Sequence, residues 1–284
     1  MQDYLQGNLR EIGYLGPSGT FTQQAARILF PKDALIPLTD IDNIFCSLSS
    51  MACAFGVAPL ENSTEGPVNS TLDALLKADD LTITSLLILP ISHALMGDAY
   101  SHDISKILAH PQALAQCRKY IRLHYPRAEL VPCASNGEAA AKAATDKTWA
   151  AIGPVAAAKE YGLRIWAEEI QDSFLNSTSF IQIERIDGTP PSPKPDCRAS
   201  IAFSTENRPG ALYRMLGILE GFGVNMTKIL SRPMPDRPGE YIFFVDIEDY
   251  EVDKANQALK QIEDHAVIYR FLGSYPVIRK DVRS

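Results

Sequence analysis

Apolar and polar positions follow two different rhythms along the chain. In the first, short apolar runs are separated by stretches of helical period. Ile12–Leu15, Ala34–Leu38, Ala54–Pro59, Leu81–Leu89, Ile107–Ala109, Glu129–Cys133 and Ala150–Ile152 read as strands. Between them Thr20–Phe30, Ile41–Met51, Val68–Lys77, Gln112–His124, Gly137–Thr145 and Pro154–Gly162 read as helices; Phe21, Ala25, Ile28 and Leu29, for example, share one face. Strands alternating with helices imply parallel βαβ units, and such sheets bind ligands beyond the carboxyl ends of their strands. From Ser200 the order changes. Ser200–Thr205, Val224–Ser231, Tyr241–Ile247 and Val267–Leu272 read as strands. Pro209–Gly221 (Leu212, Met215, Leu216, Leu219 inward) and Val252–His265 (Val252, Ala255, Leu259, Ile262 inward) read as helices. The order βαββαβ is the ferredoxin-like unit. Ile186–Arg198 lies between the two rhythms. It carries Pro190, Pro191, Pro193 and Pro195 with Gly188 and Ser192, which predicts a semi-rigid linker.

Composition sharpens this only in part. A chain of 284 residues suggests two domains at about 150 residues each. Hydrophobic, charged and aromatic shares of 46%, 21% and 8% exclude a disordered, collagen-like or coiled-coil chain. The net charge of −7 disfavours nucleic acid as a partner. It also means that an anionic ligand must be captured by local donors. Cys46, Cys53, Cys117, Cys133 and Cys197 form no C-x-x-C pair and cluster with no histidine. They read as reduced thiols of a cytoplasmic chain without a metal site. No basic segment leads into an apolar run at the N-terminus, so no signal peptide is expected. The most apolar stretch, Leu81–Met96, is interrupted by Thr82, Thr84, Ser85, Pro90, Ser92 and His93. It falls short of the roughly 20 apolar residues of a membrane span.

Three loop segments concentrate polar chemistry. Gly16-Pro17-Ser18-Gly19-Thr20 joins a strand to a helix, where unpaired helix amides suit an anion. A tight turn with a hydroxyl cap explains the same residues. Glu61-Asn62-Ser63-Thr64-Glu65-Gly66 places five polar side chains in six positions, more than one cap needs, although an exposed capped loop is the plainer account. Asn176-Ser177-Thr178-Ser179-Phe180 enters the strand Ile181–Glu184. His93 and His110 sit beside apolar segments, where a histidine is more often a satisfied core residue than a catalyst.

Together these segments resemble the prephenate dehydratase family over almost the whole chain. The matching runs are Gly13–Thr22 (GYLGPSGTFT), Ala58–Gly66 (APLENSTEG), Thr71-Leu72-Asp73, Ile91-Ser92-His93 and His110–Leu114 (HPQAL), in order and spacing. Asn176–Phe180 stands where the family carries its T-R-F signature. The C-terminal part resembles an ACT regulatory domain through Arg208–Leu212 (RPGAL) and Ser231-Arg232-Pro233. The resemblance implies an α/β fold: a two-lobed catalytic part like a type II periplasmic binding protein, plus a ferredoxin-like βαββαβ ACT domain. The expected limits are 11–185 for the catalytic domain (one lobe 11–90 with 170–185, the other 91–169), 186–198 for the linker and 199–276 for the ACT domain. The family converts prephenate to phenylpyruvate, water and carbon dioxide in phenylalanine synthesis, with no cofactor and no metal. With ten residues ahead of Glu11, a monofunctional enzyme is expected.

By the same resemblance Thr178, Glu61, Asn62 and Ser63 form the catalytic set, with Thr178 assisting loss of the hydroxyl. Its polarising neighbour is left open among Glu61, Glu65 and His110. Ser18, Gly19, Thr20, Phe21, Thr64, Gly66, His110, Gln112, Asn176, Ser179 and Phe180 are expected around substrate. Asn207, Pro209, Gly210, Ala211, Leu212, Asn225, Leu230, Ser231 and Arg232 are expected around phenylalanine as effector, at interfaces of a homodimer or homotetramer. Two positions depart from the family pattern: Ser179 replaces the arginine of T-R-F, and Leu230 replaces the glutamate of E-S-R-P. The alternatives are an arogenate dehydratase, which shares the motifs, and a non-catalytic amino-acid sensor or solute-binding protein.

Overall fold

The structure, a computed structural model, describes residues 9–98, 103–188, 191–234, 237 and 239–280. The chain forms two compact units. Unit 1 holds the chain up to Thr71, Leu87–Phe180 and the segment from Arg279; unit 2 holds Leu72–Leu86 and Ile181–Ile278.

In chain order the first elements are β1 (Glu11–Leu15), α1 (Phe21–Leu29), β2 (Ala34–Leu38), α2 (Ile41–Ser49), β3 (Phe55–Asn62), β4 (Gly66–Pro67), α3 (Asn69–Lys77) and β5 (Leu81–Pro90). The starts of α1 and α2 are explained locally. Thr20 Oγ1 accepts from the Gln23 amide at α1, and Asp40 accepts from that of Asn43 at α2. In unit 1, β1 pairs in parallel with β2 (Ile12 opposite Leu35) and with β3 (Gly13 opposite Gly56). Ile12, Tyr14, Ala25, Val57, Leu87 and Phe180 make the core beneath this sheet.

A second sheet in unit 1 follows: β6 (Ala94–Gly97), β7 (Lys106–Ala109), α4 (Pro111–Gln116), α5 (Arg118–His124), β8 (Glu129–Pro132), α6 (Asn136–Ala143), β9 (Trp149–Gly153), α7 (Val155–Tyr161) and β10 (Arg164–Ala167). Its strand order is β10-β6-β9-β7-β8. Both faces are covered. Met96, Leu108 and Ala151 pack on one side, and Leu95, Ile107 and Ile152 on the other. That is why its central strands read as unbroken apolar runs. Two expectations are corrected here. β6 runs antiparallel to both β9 and β10, so the sheet is mixed rather than built of parallel units. The helix expected over Gln112–His124 breaks at Cys117, which caps both α4 and α5. β6 and β10 were not expected as strands.

The chain leaves unit 1 through β11 (Ser177–Arg185), which begins four residues earlier than expected and so takes in Thr178. Unit 2 then adds β12 (Arg198–Ser204), α8 (Ala211–Gly221), β13 (Asn225–Pro233), β14 (Tyr241–Glu248), α9 (Val252–His265), β15 (Ile268–Tyr275) and β16 (Val277–Arg279). The order β13-β14-β12-β15 is antiparallel throughout, with α8 and α9 over a core of Ile201, Phe203, Met215, Leu219, Val245, Leu259 and Ile262. Beyond β15 the sheet continues to the first half of β5, where Gly273 pairs with Ile83. A Cβ at Gly273 would collide with the Ile83 carbonyl, so only glycine lets these strands meet. The proline-rich stretch is anchored to unit 2: the Lys194 amide donates to Ser274 Oγ and its carbonyl accepts from Tyr250 Oη. Pro190 lies outside the described residues.

Candidate active site

Two of the three polar segments, the Glu61–Gly66 loop and Asn176–Phe180, meet the start of α4 where β3 and β11 pair. β3 and β4 form a tight hairpin, with Asn62 opposite Gly66, and Gly66 takes a left-handed φ of 87° that suits glycine. Inside it the Asn62 side chain makes an Asx turn: Oδ1 accepts from the amides of Thr64 at 3.0 Å and Glu65 at 3.2 Å. Gln112 Nε2, from α4, reaches the same oxygen at 3.4 Å. An oxygen that takes two backbone donors leaves no choice about the other end of the amide. Asn62 Nδ2 therefore donates to Thr178 Oγ1, at 2.9 Å. Thr178 Oγ1 thus accepts a hydrogen bond from a neutral amide. His110 caps α4, accepting the Gln112 amide on Nδ1 while its own amide donates to Asn136 Oδ1.

A second chain of bonds stands beside the first. Ser63 Oγ and Thr64 Oγ1 both reach Asn176 Oδ1, at 3.3 and 3.2 Å. Asn176 Nδ2 donates to Gln116 Oε1 at 3.1 Å. The Ser63 amide donates to the Ser177 carbonyl, and the Ser177 amide to Ser63 Oγ, which ties the hairpin to β11. Asn176 and Thr178 are both buried. Ser179 leaves β11 on the opposite face to Thr178, as neighbours on a pleated strand must, so the exchange of the motif arginine does not alter the contacts of Thr178. Phe180 packs in the core with Tyr14 and Val57 and offers its ring to that core.

The turn before α1 is more occupied than the sequence suggests. The Gly19 amide donates to Gln23 Oε1, Ser18 Oγ bonds Tyr14 Oη, and the Ser18 carbonyl accepts from Tyr161 Oη. Gly137, at the start of α6, approaches so closely that a Cβ there would collide with the Ser18 carbonyl. The amides of Gly19, Ser63, Thr64 and Glu65 are all spent on protein acceptors. Beside these bonded amides, the side-chain hydroxyls and amides of the two loops are further groups they have to offer. Phe21 meets the ring of His93 edge-on at 5.4 Å. His93 is buried, and burial lowers its pKa from the ordinary 6.5, with the Gln116 contact opposing. The unfolded chain therefore takes up a proton near pH 6.5 that the native state refuses. Stability should fall as pH drops below about 6.5, by at most about 1.4 kcal/mol per pH unit from this group. Urea midpoints at pH 7.5 and 5.5 for the wild type and His93→Gln check this; the variant should lose that part of the difference.

Sequence reasoning missed Gln116, Asn136, Gln23, Tyr14 and Tyr161 in these contacts. Gln116 had a legible signal, since it lies four residues after Gln112 and therefore on the same face of α4. A cavity of about 760 Å³ in unit 1 is lined by Gln24, Arg27, Leu89, Ser92, Lys159 and Lys280, among others, and holds none of the expected catalytic or substrate-binding residues.

The family model described as prephenate dehydratase matches residues 12–187. The chain belongs to the prephenate dehydratase family. An ACT domain matches residues 199–264. Among curated relatives, a prephenate dehydratase of Methanocaldococcus jannaschii is 39% identical over 94% of this chain and 98% of its own. Among solved structures, a prephenate dehydratase from Arthrobacter aurescens in complex with L-Phe superimposes with a TM-score of 0.84 at 32% identity, covering 94% of this chain and 90% of the other. A protein described as a quorum-quenching acylase, GqqA, gives 0.86 at 27% identity, covering 94% and 98%. The prephenate dehydratase match takes in both polar hairpin and β11, and the ACT match takes in the candidate effector residues.

Those residues lie in unit 2. Gly210 opens α8 with a left-handed φ of 74°, Ala211 is buried beneath it, and Leu212 packs on the core of unit 2. Asn207 reaches the Gly239 carbonyl at 3.4 Å. Thr205, Asn207, Gly210, Leu212, Tyr241 and Phe243 are among the residues around a cavity of about 290 Å³. Pro209 is exposed beside it. Asn225, Leu230, Ser231 and Arg232 lie along β13, the edge strand of the sheet. Arg232 grips Asp73 of α3, also in unit 2, with two bonds of 2.6 and 3.2 Å.

Proposed function

We propose that this chain dehydrates prephenate to phenylpyruvate, with Thr178 as the residue that helps the ring hydroxyl depart. The observation that carries this is the direction of one hydrogen bond. Because Asn62 donates to Thr178 Oγ1, the threonine proton is not spent on Asn62 and can be given elsewhere. In prephenate the bond between the ring and one carboxylate breaks to release carbon dioxide. Its electron pair enters the ring as the hydroxyl leaves from the far side, taking a proton to depart as water. Aromatisation drives the reaction. A neutral donor aimed at the leaving oxygen stabilises the charge that develops there. Asn62 strengthens that donor by withdrawing electron density through the bond to Oγ1. Acyl transfer, the chemistry named for the acylase neighbour, needs a nucleophile with a base beside it. A threonine that receives a bond from an amide fits the donor's part instead.

Phenylalanine is the effector that the ACT domain takes, and the cavity between 205–213 and 239–243 supports a site at that end of α8. The open edge of β13, with one face exposed and the other half-buried, favours isologous pairing of two ACT domains in a homodimer or a tetramer built from it. The free thiols suit the reducing cytoplasm as its place of action. Turnover of prephenate and of arogenate, each with and without phenylalanine, tests the reading. Phenylpyruvate formation that phenylalanine inhibits is expected. Turnover of arogenate alone would reassign the substrate, and turnover of neither would leave only the sensor reading.

A further inference from the structure

We propose that the cavity between α1 and α7 is a second ligand site, for a small organic anion with an apolar body. At about 760 Å³ it lies in the range that small-molecule sites occupy. It holds none of the expected catalytic or substrate-binding residues, and its ligand does not depend on the reaction assigned above. Distant parts of unit 1 build its wall. α1 contributes Gln23, Arg27 and Ile28, α7 contributes Lys159 and Glu160, and the end of β5 contributes Leu89. Lys280 completes it; its amide donates to the Ile88 carbonyl, which seats the residue against β5.

The charges on this wall are lopsided. Among the described residues three cations, Arg27, Lys159 and Lys280, face one carboxylate, Glu160, in a chain of net charge −7. Arg27 Nη1 donates to the carbonyls of Phe30, Pro31 and Asp33 at 3.4, 3.3 and 3.0 Å, which holds the guanidinium in place without neutralising it. Neither Lys159 nor Lys280 has a carboxylate partner within 4.0 Å among the described residues. Glu160 is bonded to Gln23. The Gly19 amide donates to Gln23 Oε1 at 2.6 Å, and a backbone N–H cannot be reversed, so Gln23 must present Nε2 to Glu160 Oε2, at 3.5 Å. Cations gathered round a concave wall repel one another and focus a positive field into it. An anion placed among them relieves that repulsion. Leu89, itself buried, and Ile28 add apolar surface to the same wall, so a ligand with an apolar body gains from both.

Isothermal titration of the full chain at low ionic strength tests the site. The probes are benzylmalonate, a dicarboxylate, and phenyl phosphate, a phosphate monoester, with benzyl alcohol as the uncharged control. At least one anion should bind with a Kd below about 1 mM, and benzyl alcohol should not bind. The tighter of the two anions names the anionic group that the site takes. Lys159→Ala/Lys280→Ala should weaken that anion about tenfold or more, the scale for losing charge-assisted bonds. Lys119→Ala/Lys147→Ala removes the same charge from exposed positions outside the cavity and should change the Kd by less than about twofold. Four results overturn the site: neither anion binds; benzyl alcohol binds as tightly as the anions; Lys159→Ala/Lys280→Ala binds like the wild type; or both double variants weaken equally, which marks a response to total charge. If Lys159→Ala/Lys280→Ala does not fold, Lys159→Gln, at an exposed position, decides alone. Weakening of about threefold or more then supports the site, and any smaller change overturns it.

Discussion

Thr178→Val should lose about a hundredfold to ten-thousandfold in kcat, the range for removing a positioned proton donor, while the protein stays folded. Valine matches threonine in shape and keeps the β-branch that suits β11. What it removes is the oxygen that accepts from Asn62 and the proton that the leaving hydroxyl would take. The stability cost is the unpaired Asn62 Nδ2, about 1–3 kcal/mol if no other acceptor reaches it. Thr178→Ser keeps the oxygen and the proton and should stay within about tenfold of the wild type, the loss arising from a hydroxyl freer to rotate. Phenylpyruvate formation measured at saturating prephenate separates the two. A valine variant with wild-type kcat would remove Thr178 from the chemistry and with it the reading built on that bond.

Asn62→Asp should be almost as damaging, at about a hundredfold to a thousandfold in kcat/KM, the scale for losing one oriented donor at a site of charge development. The substitution changes one atom and keeps the Asx turn, because an aspartate oxygen can still accept from the amides of Thr64 and Glu65. The other oxygen replaces the Nδ2 that faced Thr178. An acceptor there reverses the bond. The threonine proton turns to the carboxylate and is lost to the substrate. The new negative charge also stands where a dianion must bind. Thermal denaturation should show a small change, and kinetics a large one. Equal kcat/KM in the two proteins would mean that the direction of this hydrogen bond is irrelevant to turnover.

Both predictions depend on residues that the sequence had placed near one another only by resemblance. Much of the fold was legible without that help. The alternation of apolar runs with helical stretches, and its change after Ser200, located most strands and helices within a few residues. That works because a sheet buried on both faces writes itself as continuous apolar runs, and because several helices open on a side-chain acceptor such as Thr20, Asp40 or Ser135. The misses are β6, β10 and the break at Cys117, a local change of direction between α4 and α5 that leaves no periodicity to read.

The site was legible as a set of residue types and illegible as a set of roles. The sequence by itself determined that Asn62, Ser63, Thr64, Asn176 and Thr178 are polar where strands end, and that a chain of charge −7 would have to use local groups on an anion. It left a carboxylate or an imidazole as the partner of Thr178. Only the tertiary structure shows Asn62, 116 residues away in the chain, bonded to Thr178, because that bond turns on which end of an amide faces which neighbour. The backbone amides of Thr64 and Glu65 set it from positions in space. The same holds for the amides of Gly19, Ser63, Thr64 and Glu65, which look free in the sequence and are bonded in the fold. Composition and periodicity record which groups a chain can bury. The direction of a hydrogen bond depends on what else each group has already bonded, and that is known only once the chain is folded.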